Sequence, residues 1–511
     1  MTAPSPRWDR WLISGLFVYF TLQVVVRVTG SPVLDLDEAE ILVVTQWWLA
    51  GYSGQPPLYA WVQKLAFEVL GLDLLALSLV KNALLFLTYL FVYLSARRLI
   101  PDIRLAVLAT LSLLLIPQVA WESQRDLTHS VIVTTVTAAS FYVLLRWLER
   151  PTLVHYLLLG LLLGLGLLSK YNYALFAGAV LCVLLALPRG RALLFSPLTL
   201  VSAATAVLVL TPHLGWFMDR GQLGTRSMDK LDFGGGLWPL SGFASLGLAA
   251  LVFLTPLWVA LLAVFRRGFL EALAGAQGRA GPDVFPLRLY FVALLALLAA
   301  MVLLLGAAHF KDRWMLPLLL VFPLYIFAGL PAEALSPARL RRYAILCLVV
   351  PFLVLLVMAG RVYEWPVLEG QHRYGYPFGS MAAAVRQSGF RQGLIVADRA
   401  FIAGNLRFRF PDSRAVYPGV TSAGLRCGPD DDLLLAWDAE RSAEPPASLR
   451  KWLETELAMD IAKADHQVLR GDVQGAALGV LMIGASEARL QERCNGSART
   501  SAAPISSRSA C

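Results

Sequence analysis

Long apolar runs, broken by short polar connections, fill most of the first 360 residues. They lie at 11–28, 74–94, 105–120, 130–148, 153–168, 173–187, 198–212, 240–265, 289–308, 315–330 and 343–360. A helix rises about 1.5 Å per residue and must cross about 30 Å of hydrocarbon, so these runs predict about eleven transmembrane helices. Between the first two runs the pattern changes. The stretch from Pro32 to Trp61 sets Asp35, Asp37, Glu38 and Glu40 between a greasy segment and two aromatic-rich ones. Gln46-Trp47-Trp48 and Tyr59-Ala60-Trp61 read as helices lying in the headgroup layer, where Trp and Tyr sit best. Pro56-Pro57 opens the second at its first turn. Leu58, Trp61, Leu65 and Val69 then form one apolar stripe, with Gln63, Lys64 and Glu68 opposite. Past about Tyr363 short β-like runs at 394–397, 433–436 and 478–483 alternate with helical stretches at 381–387 and 448–457. The expected organisation is a membrane domain over 1–360, a small α/β domain over 361–494 and a disordered Ser/Ala/Arg-rich tail over 495–511.

Composition excludes an ordinary soluble protein: the 511 residues are 57% hydrophobic and 15% charged. The net charge of +9 does not mark a nucleic-acid partner, because the basic residues are scattered through short loops. Their placement instead sets a topology. With a cytoplasmic N-terminus, the cytoplasmic loops are those carrying Arg7/Arg10, Arg97/Arg98/Arg104, Arg146/Arg150, Arg189/Arg191, Arg266/Arg267/Arg279 and Arg339/Arg341/Arg342. Every one is Arg-rich, as the positive-inside rule requires. The opposite face then receives 29–73, 121–129, the turn at Lys170-Tyr171-Asn172, 213–237, 309–313 and everything after Arg361. All the unusual polar residues fall on that face, which predicts a single outward-facing site against the membrane. No small-residue cleavage site follows the first run, so it is expected to remain as a span.

Among five cysteines, Cys182 and Cys347 lie inside apolar runs and read as buried small residues. Cys427 and Cys494 could pair if the C-terminal part lies outside the cytoplasm, leaving Cys511 on the tail. Neither the cysteines nor the dispersed histidines have metal-ligand spacing, so no cofactor is expected, although a divalent metal is not excluded.

The strongest candidates for chemistry are Asp37-Glu38 in the first outer loop and Asp126 in Trp121-Glu-Ser-Gln-Arg-Asp-Leu-Thr-His129. One carboxylate can deprotonate an incoming hydroxyl while another orients it. The blander alternative is helix capping, with Asp37 capping a helix that starts at Ala39; for Asp35 and Glu40 capping is the preferred reading. Lys170, after the Gly-rich run 160–166, and Lys311 and Arg313 in His309-Phe-Lys-Asp-Arg-Trp314 suit an anionic headgroup. Their alternative is snorkelling to ordinary phospholipid. His213, in Thr211-Pro-His-Leu-Gly-Trp216, is a further candidate against a plain interfacial role.

Asp37-Glu38, Gly51-Tyr-Ser-Gly-Gln-Pro-Pro-Leu-Tyr-Ala-Trp61, Gln124-Arg-Asp126, Leu168-Ser-Lys-Tyr171 and Lys311-Asp-Arg-Trp-Met-Leu-Pro317, in that order, resemble the bacterial glycosyltransferases related to protein O-mannosyltransferases and to the lipid A aminoarabinose transferase. The resemblance covers the chain to about Gly360 and implies a GT-C membrane fold. It also implies that Asp37 is the base, that Glu38 and Asp126 assist, and that Lys170, Lys311 and Arg313 meet a polyprenyl phosphate. Gln55, Tyr59, Tyr171 and His213 are carried with these as substrate-binding candidates. Aminoarabinose transferases have a Lys before the proline at position 56, where this chain has Gln55, so donor contact must differ and aminoarabinose is not the implied sugar.

The expectation is therefore a polytopic inner-membrane enzyme with interfacial periplasmic helices. It would move a sugar with inversion from an undecaprenyl-type phosphate to a lipid A or other glycan, lipid or protein acceptor on the periplasmic face. A transporter or lipid-linked sugar flippase is the competing class, and would call for paired repeats or broken helices near the midplane, and charges on both faces.

Overall fold

The computed structural model describes residues 7–52, 54–225, 239–275, 285–368, 373–420, 425–461, 465–470, 476–488, 490 and 493–494. The tail 495–511, expected to be disordered, lies outside them. Among the described residues six helices are long and apolar enough to cross a membrane: Trp8–Thr29, Leu74–Leu99, Thr128–Glu149, Thr199–Asp219, Leu287–Leu305 and Pro337–Val362. Four further spans arise if each of four bent helix pairs counts as one, with bends of 72°, 111°, 67° and 53°, and Leu153–Ser169 is a shorter apolar helix. Each predicted run has its counterpart in this set. The bent pairs break beside Pro117, Pro188, Pro256 and Pro323, because a proline has no N–H for the preceding turn.

The chain forms two compact units. The first comprises Met1–Val26, Gly54–Tyr59 and Ser78–Ala359. Its buried centre is the helix Thr128–Glu149, whose Val131, Val133, Ala138 and Phe141 are enclosed by neighbours. Two hydroxyls on this helix are satisfied along it, Thr134 donating to the Ser130 carbonyl at 2.7 Å and Ser140 to that of Val136 at 2.7 Å. Gly160 and Gly164 let Leu153–Ser169 approach Thr199–Thr225 closely; a Cβ at Gly160 would collide with the Ser202 backbone.

The second unit comprises Arg27–Ser53, Ala60–Leu77 and Gly360–Cys511, so the acidic first loop packs with C-terminal chain. Among the described residues five strands, β1 (Gly393–Ala397), β2 (Arg414–Val416), β3 (Asp432–Asp438), β4 (Gln467–Arg470) and β5 (Ala477–Ile483), form one sheet in the order β2-β1-β3-β5-β4. β1 runs parallel to β2 and β3, whereas β5 is antiparallel to β3 and β4. The β-like runs read from the sequence fall in β1, β3 and β5, whose Ile395, Leu434 and Leu481 are buried. Cys427 and Cys494 are joined by a disulfide.

The first loop differs from expectation in one respect. Its helix Leu36–Val44 ends before Gln46-Trp47-Trp48, which form a turn rather than a helix. The second aromatic stretch does open a helix, Leu58–Leu70, but on it Gln63 is 0% exposed while Leu65 and Val69 are 57% and 73% exposed. Leu65 and Val69 turned outward with a glutamine turned inward suit a lipid surface, where the solvent is itself apolar, while Leu58 at the head of the stripe is buried.

Candidate active site

In the second unit the site is built around the first turn of Leu36–Val44. Asp35 caps this helix, its carboxylate accepting from the Leu36 N–H at 2.8 Å, while Glu38 accepts from the Asp35 N–H at 3.1 Å in a reciprocal box. The cap is therefore Asp35, and Asp37 lies inside the first turn rather than capping a helix at Ala39. Glu38 is buried and held by Arg27, whose Nε and Nη2 donate to its two oxygens at 2.9 and 2.7 Å. The same guanidinium donates to the carbonyls of Ser31 and Val33, both at 2.8 Å.

Around Asp35 stand Arg361 at 3.7 Å and Arg373 at 3.5 Å, and the Tyr374 ring lies under the Arg27 and Arg361 guanidinium groups at 5.1 and 5.8 Å. Burial, followed by the charge of Glu38, pushes the Tyr374 hydroxyl well above its ordinary pKa, so it stays protonated. Behind the helix, Asn405 bridges the Leu34 N–H and carbonyl at 2.8 and 3.1 Å. Gln46 likewise bridges the Ala415 carbonyl and N–H at 2.7 and 2.8 Å. Within this frame Asp37 is half-buried on the first turn, where the partial positive charge of the helix N-terminus favours a carboxylate.

The first unit holds Asp126, Gln55, Tyr59, Lys170, Tyr171, His213, Lys311 and Arg313. Asp126 ends a turn that begins as a π-helical segment, Gln118–Glu122, and the next residue, Leu127, takes a left-handed backbone with φ 65°. A bulky residue there stores strain, and such strain collects at working sites. One Asp126 oxygen accepts from Arg125 Nε at 2.9 Å; the other is buried with no hydrogen-bond partner among the described residues. Lys170 donates to Ser130 Oγ at 2.7 Å, one residue beyond His129, which faces the buried Tyr59 ring at 5.7 Å. Tyr171 stacks on buried His213 at 6.0 Å and meets its Nε2 at 3.1 Å; burial pushes the Tyr171 hydroxyl up to about 12.

Two bonds tie these turns together. Gln118 Nε2 donates to Asp312 at 2.5 Å, and Asn172 Nδ2 donates to the Trp314 carbonyl at 3.0 Å. The turn of Asp126, the turn of Lys170 and the turn of Lys311 and Arg313, far apart in sequence, thus form one network. The Arg313 side chain is half-buried and meets no acceptor among the described residues. Gln55 is half-buried in the segment Gly54–Tyr59 of the same unit.

Sequence reasoning missed Gln118 and Asp312, which are ordinary polar residues until the fold pairs them. It also missed Lys81, 4% exposed in the helix Leu74–Leu99, and the Arg27 ion pair, although a cation within an apolar run is itself a signal. Among the described residues no group of three or more His, Cys, Asp or Glu is placed to hold a metal ion.

Comparison with known proteins follows the same lines. The model of the dolichyl-phosphate-mannose-protein mannosyltransferase family matches residues 54–216. Two lipopolysaccharide core galacturonosyltransferases of Rhizobium johnstonii are similar across most of their length. RgtB is 35% identical over 91% of this chain and 94% of its own, and RgtA 34% identical over 84% and 86%. The crystal structure of ArnT from Cupriavidus metallidurans bound to undecaprenyl phosphate superposes with a TM-score of 0.62 at 13% identity, covering 93% of this chain and 98% of ArnT. That likeness shows a shared polytopic helical fold.

Proposed function

Because the chain belongs to the bacterial GT-C glycosyltransferases, multi-pass membrane enzymes that use a lipid-linked donor, we propose that it transfers galacturonic acid from an undecaprenyl-type phosphate to a lipopolysaccharide-core glycan at the periplasmic face of the inner membrane. The sugar and acceptor are those named for its two relatives. The observation that carries the reading is the pair of bonds, Gln118 to Asp312 and Asn172 to Trp314, that draws an acid and several cations from three turns into one network.

The donor phosphate already activates the sugar, so the protein must position it, stabilise the leaving group and take a proton. Lys170, Lys311 and Arg313 hold the phosphate, with Tyr59, Gln55, Tyr171 and His213 lining the sugar's approach. Asp37 takes the proton of the acceptor hydroxyl. The oxygen attacks the anomeric carbon from the face opposite the phosphate, the bond from that carbon to the phosphate oxygen breaks, and polyprenyl phosphate leaves with the electron pair, inverting the centre. Asp126 orients the hydroxyl. Glu38, with both oxygens engaged, holds the Asp37 turn rather than exchanging protons.

The domain of 361–494 sits in the periplasm beside the acceptor. Its Cys427–Cys494 bond supports this, since disulfides persist in oxidising compartments. The test is reconstitution: protein in lipid nanodiscs, synthetic polyprenyl-phosphate galacturonate and delipidated core oligosaccharide. Galacturonate should appear on the oligosaccharide with the anomeric configuration reversed. Hydrolysis without transfer, or retention of configuration, overturns the proposal.

A further inference from the structure

Beneath the turn that carries Asp126 lies a buried cation that the mechanism above does not use. Lys81 sits about 10 Å along the helix Leu74–Leu99 from its first residue, at 1.5 Å per residue, and is 4% exposed. Its ammonium has three N–H donors. Among the described residues it makes one bond, to the Gln124 carbonyl at 3.3 Å, and has no carboxylate within ion-pair distance. That carbonyl is held in place by the neighbouring residue, Asn82, whose side-chain oxygen accepts from Gln124 Nε2 at 2.9 Å and whose Nδ2 donates to the Ser78 carbonyl at 2.9 Å. The same turn carries the Asp126 oxygen that has no partner and the strained Leu127.

A buried ammonium without a counter-charge is one of the costliest arrangements in a membrane protein, and where one occurs it serves an anion or a transport path. Snorkelling puts a lysine head into water, whereas Lys81 is 4% exposed. We propose that Lys81 forms an oxyanion subsite for the lipid-linked donor, completing its ion pair only when donor is bound. The inference rests on the transferase reading above. Two donor groups share the required chemistry, the bridging phosphate and the carboxylate of a uronic acid. Either gives the ammonium a charge-assisted partner and relieves its desolvation. It would also give this chain the cation that Gln55 does not supply.

The experiment uses full-length protein in nanodiscs. Lys81→Gln keeps a donor for the Gln124 carbonyl but removes the charge, and Lys81→Arg keeps the charge. Three ligands are compared: undecaprenyl phosphate alone, polyprenyl-phosphate galacturonate, and the same lipid carrying neutral galactose. If the subsite takes the phosphate, Lys81→Gln weakens binding of all three by about tenfold to a hundredfold, with partial recovery in Lys81→Arg. If it takes the carboxylate, only the galacturonate donor is affected, and the preference for it over the galactose donor falls by the same factor. Unchanged binding of all three ligands in correctly inserted Lys81→Gln overturns the proposal. So does a lowered Tm of the ligand-free variant with the donor effects absent, which would make the Gln124 bond structural. Should wild-type protein bind undecaprenyl phosphate yet transfer neither sugar, the transferase reading fails while the binding arm still decides the role of Lys81.

Discussion

Asp35, Asp37 and Glu38 are three acids within four residues, and their surroundings give them different tasks. Asp35 and Glu38 close a capping box and are bound by arginines, and Asp37 is half-buried on the same turn. Asp37→Asn keeps shape and removes basicity, so kcat should fall by about 10²–10⁴ with donor binding and membrane insertion intact, measured by single-turnover transfer. A normal rate would move the base to Asp126. At the phosphate, Arg313→Ala and Lys170→Ala should each raise the donor KM by roughly ten- to a hundredfold, because a charge-assisted contact is worth about 1.5–3 kcal/mol. Unaltered donor KM in both would return these residues to interfacial snorkelling. The family resemblance implies Asp37 rather than Glu38 as the base; what the sequence did not show is that Arg27, 11 residues before Glu38, clamps Glu38.

At the scale of elements, the short helix Leu36–Val44 is a platform whose angle depends on charge pairs rather than on its nine residues' own propensity, which is marginal at that length. Arg27, from the preceding helix, ties it through Glu38, and Arg361 and Arg373 through Asp35. Removing one partner strands a buried charge, so Glu38→Gln should destabilise the protein by about 3–5 kcal/mol, seen as a lower midpoint in thermal denaturation monitored by tryptophan fluorescence. Loss of activity without loss of stability would instead make Glu38 a proton carrier. The turns around Asp126 follow another rule. Their elements were visible as breaks between apolar runs, but the π-helical segment and the left-handed Leu127 carry no local marker, since Leu is not a residue that prefers positive φ.

For the whole molecule, the distribution of arginines predicts the orientation, and two measurements check it. A reporter fused after Val362 should report the periplasm and one fused after Arg267 the cytoplasm. Thiol labelling of the denatured protein should find Cys427 and Cys494 protected until reduction, as an oxidising compartment requires. Same-side reporters, or two reactive thiols, would separate the C-terminal domain from the face on which the acids are expected.

Span positions, the arginine alternation, the main strands of the sheet and the acidic first loop were all readable from the chain, because each follows from local composition and period: about 20 apolar residues make a helix in lipid, and alternating or continuous short runs make strands. Tertiary structure decided which residues act together. Arg27 with Glu38, Gln118 with Asp312, Asn172 with Trp314 and Lys81 with the Gln124 carbonyl are separated by 11, 194, 142 and 43 positions. No periodicity links such pairs. Whether a polar side chain is a ligand, a clamp or a solvated charge depends on desolvation and on the partner brought to it, and both are set by the packing of helices distant in sequence.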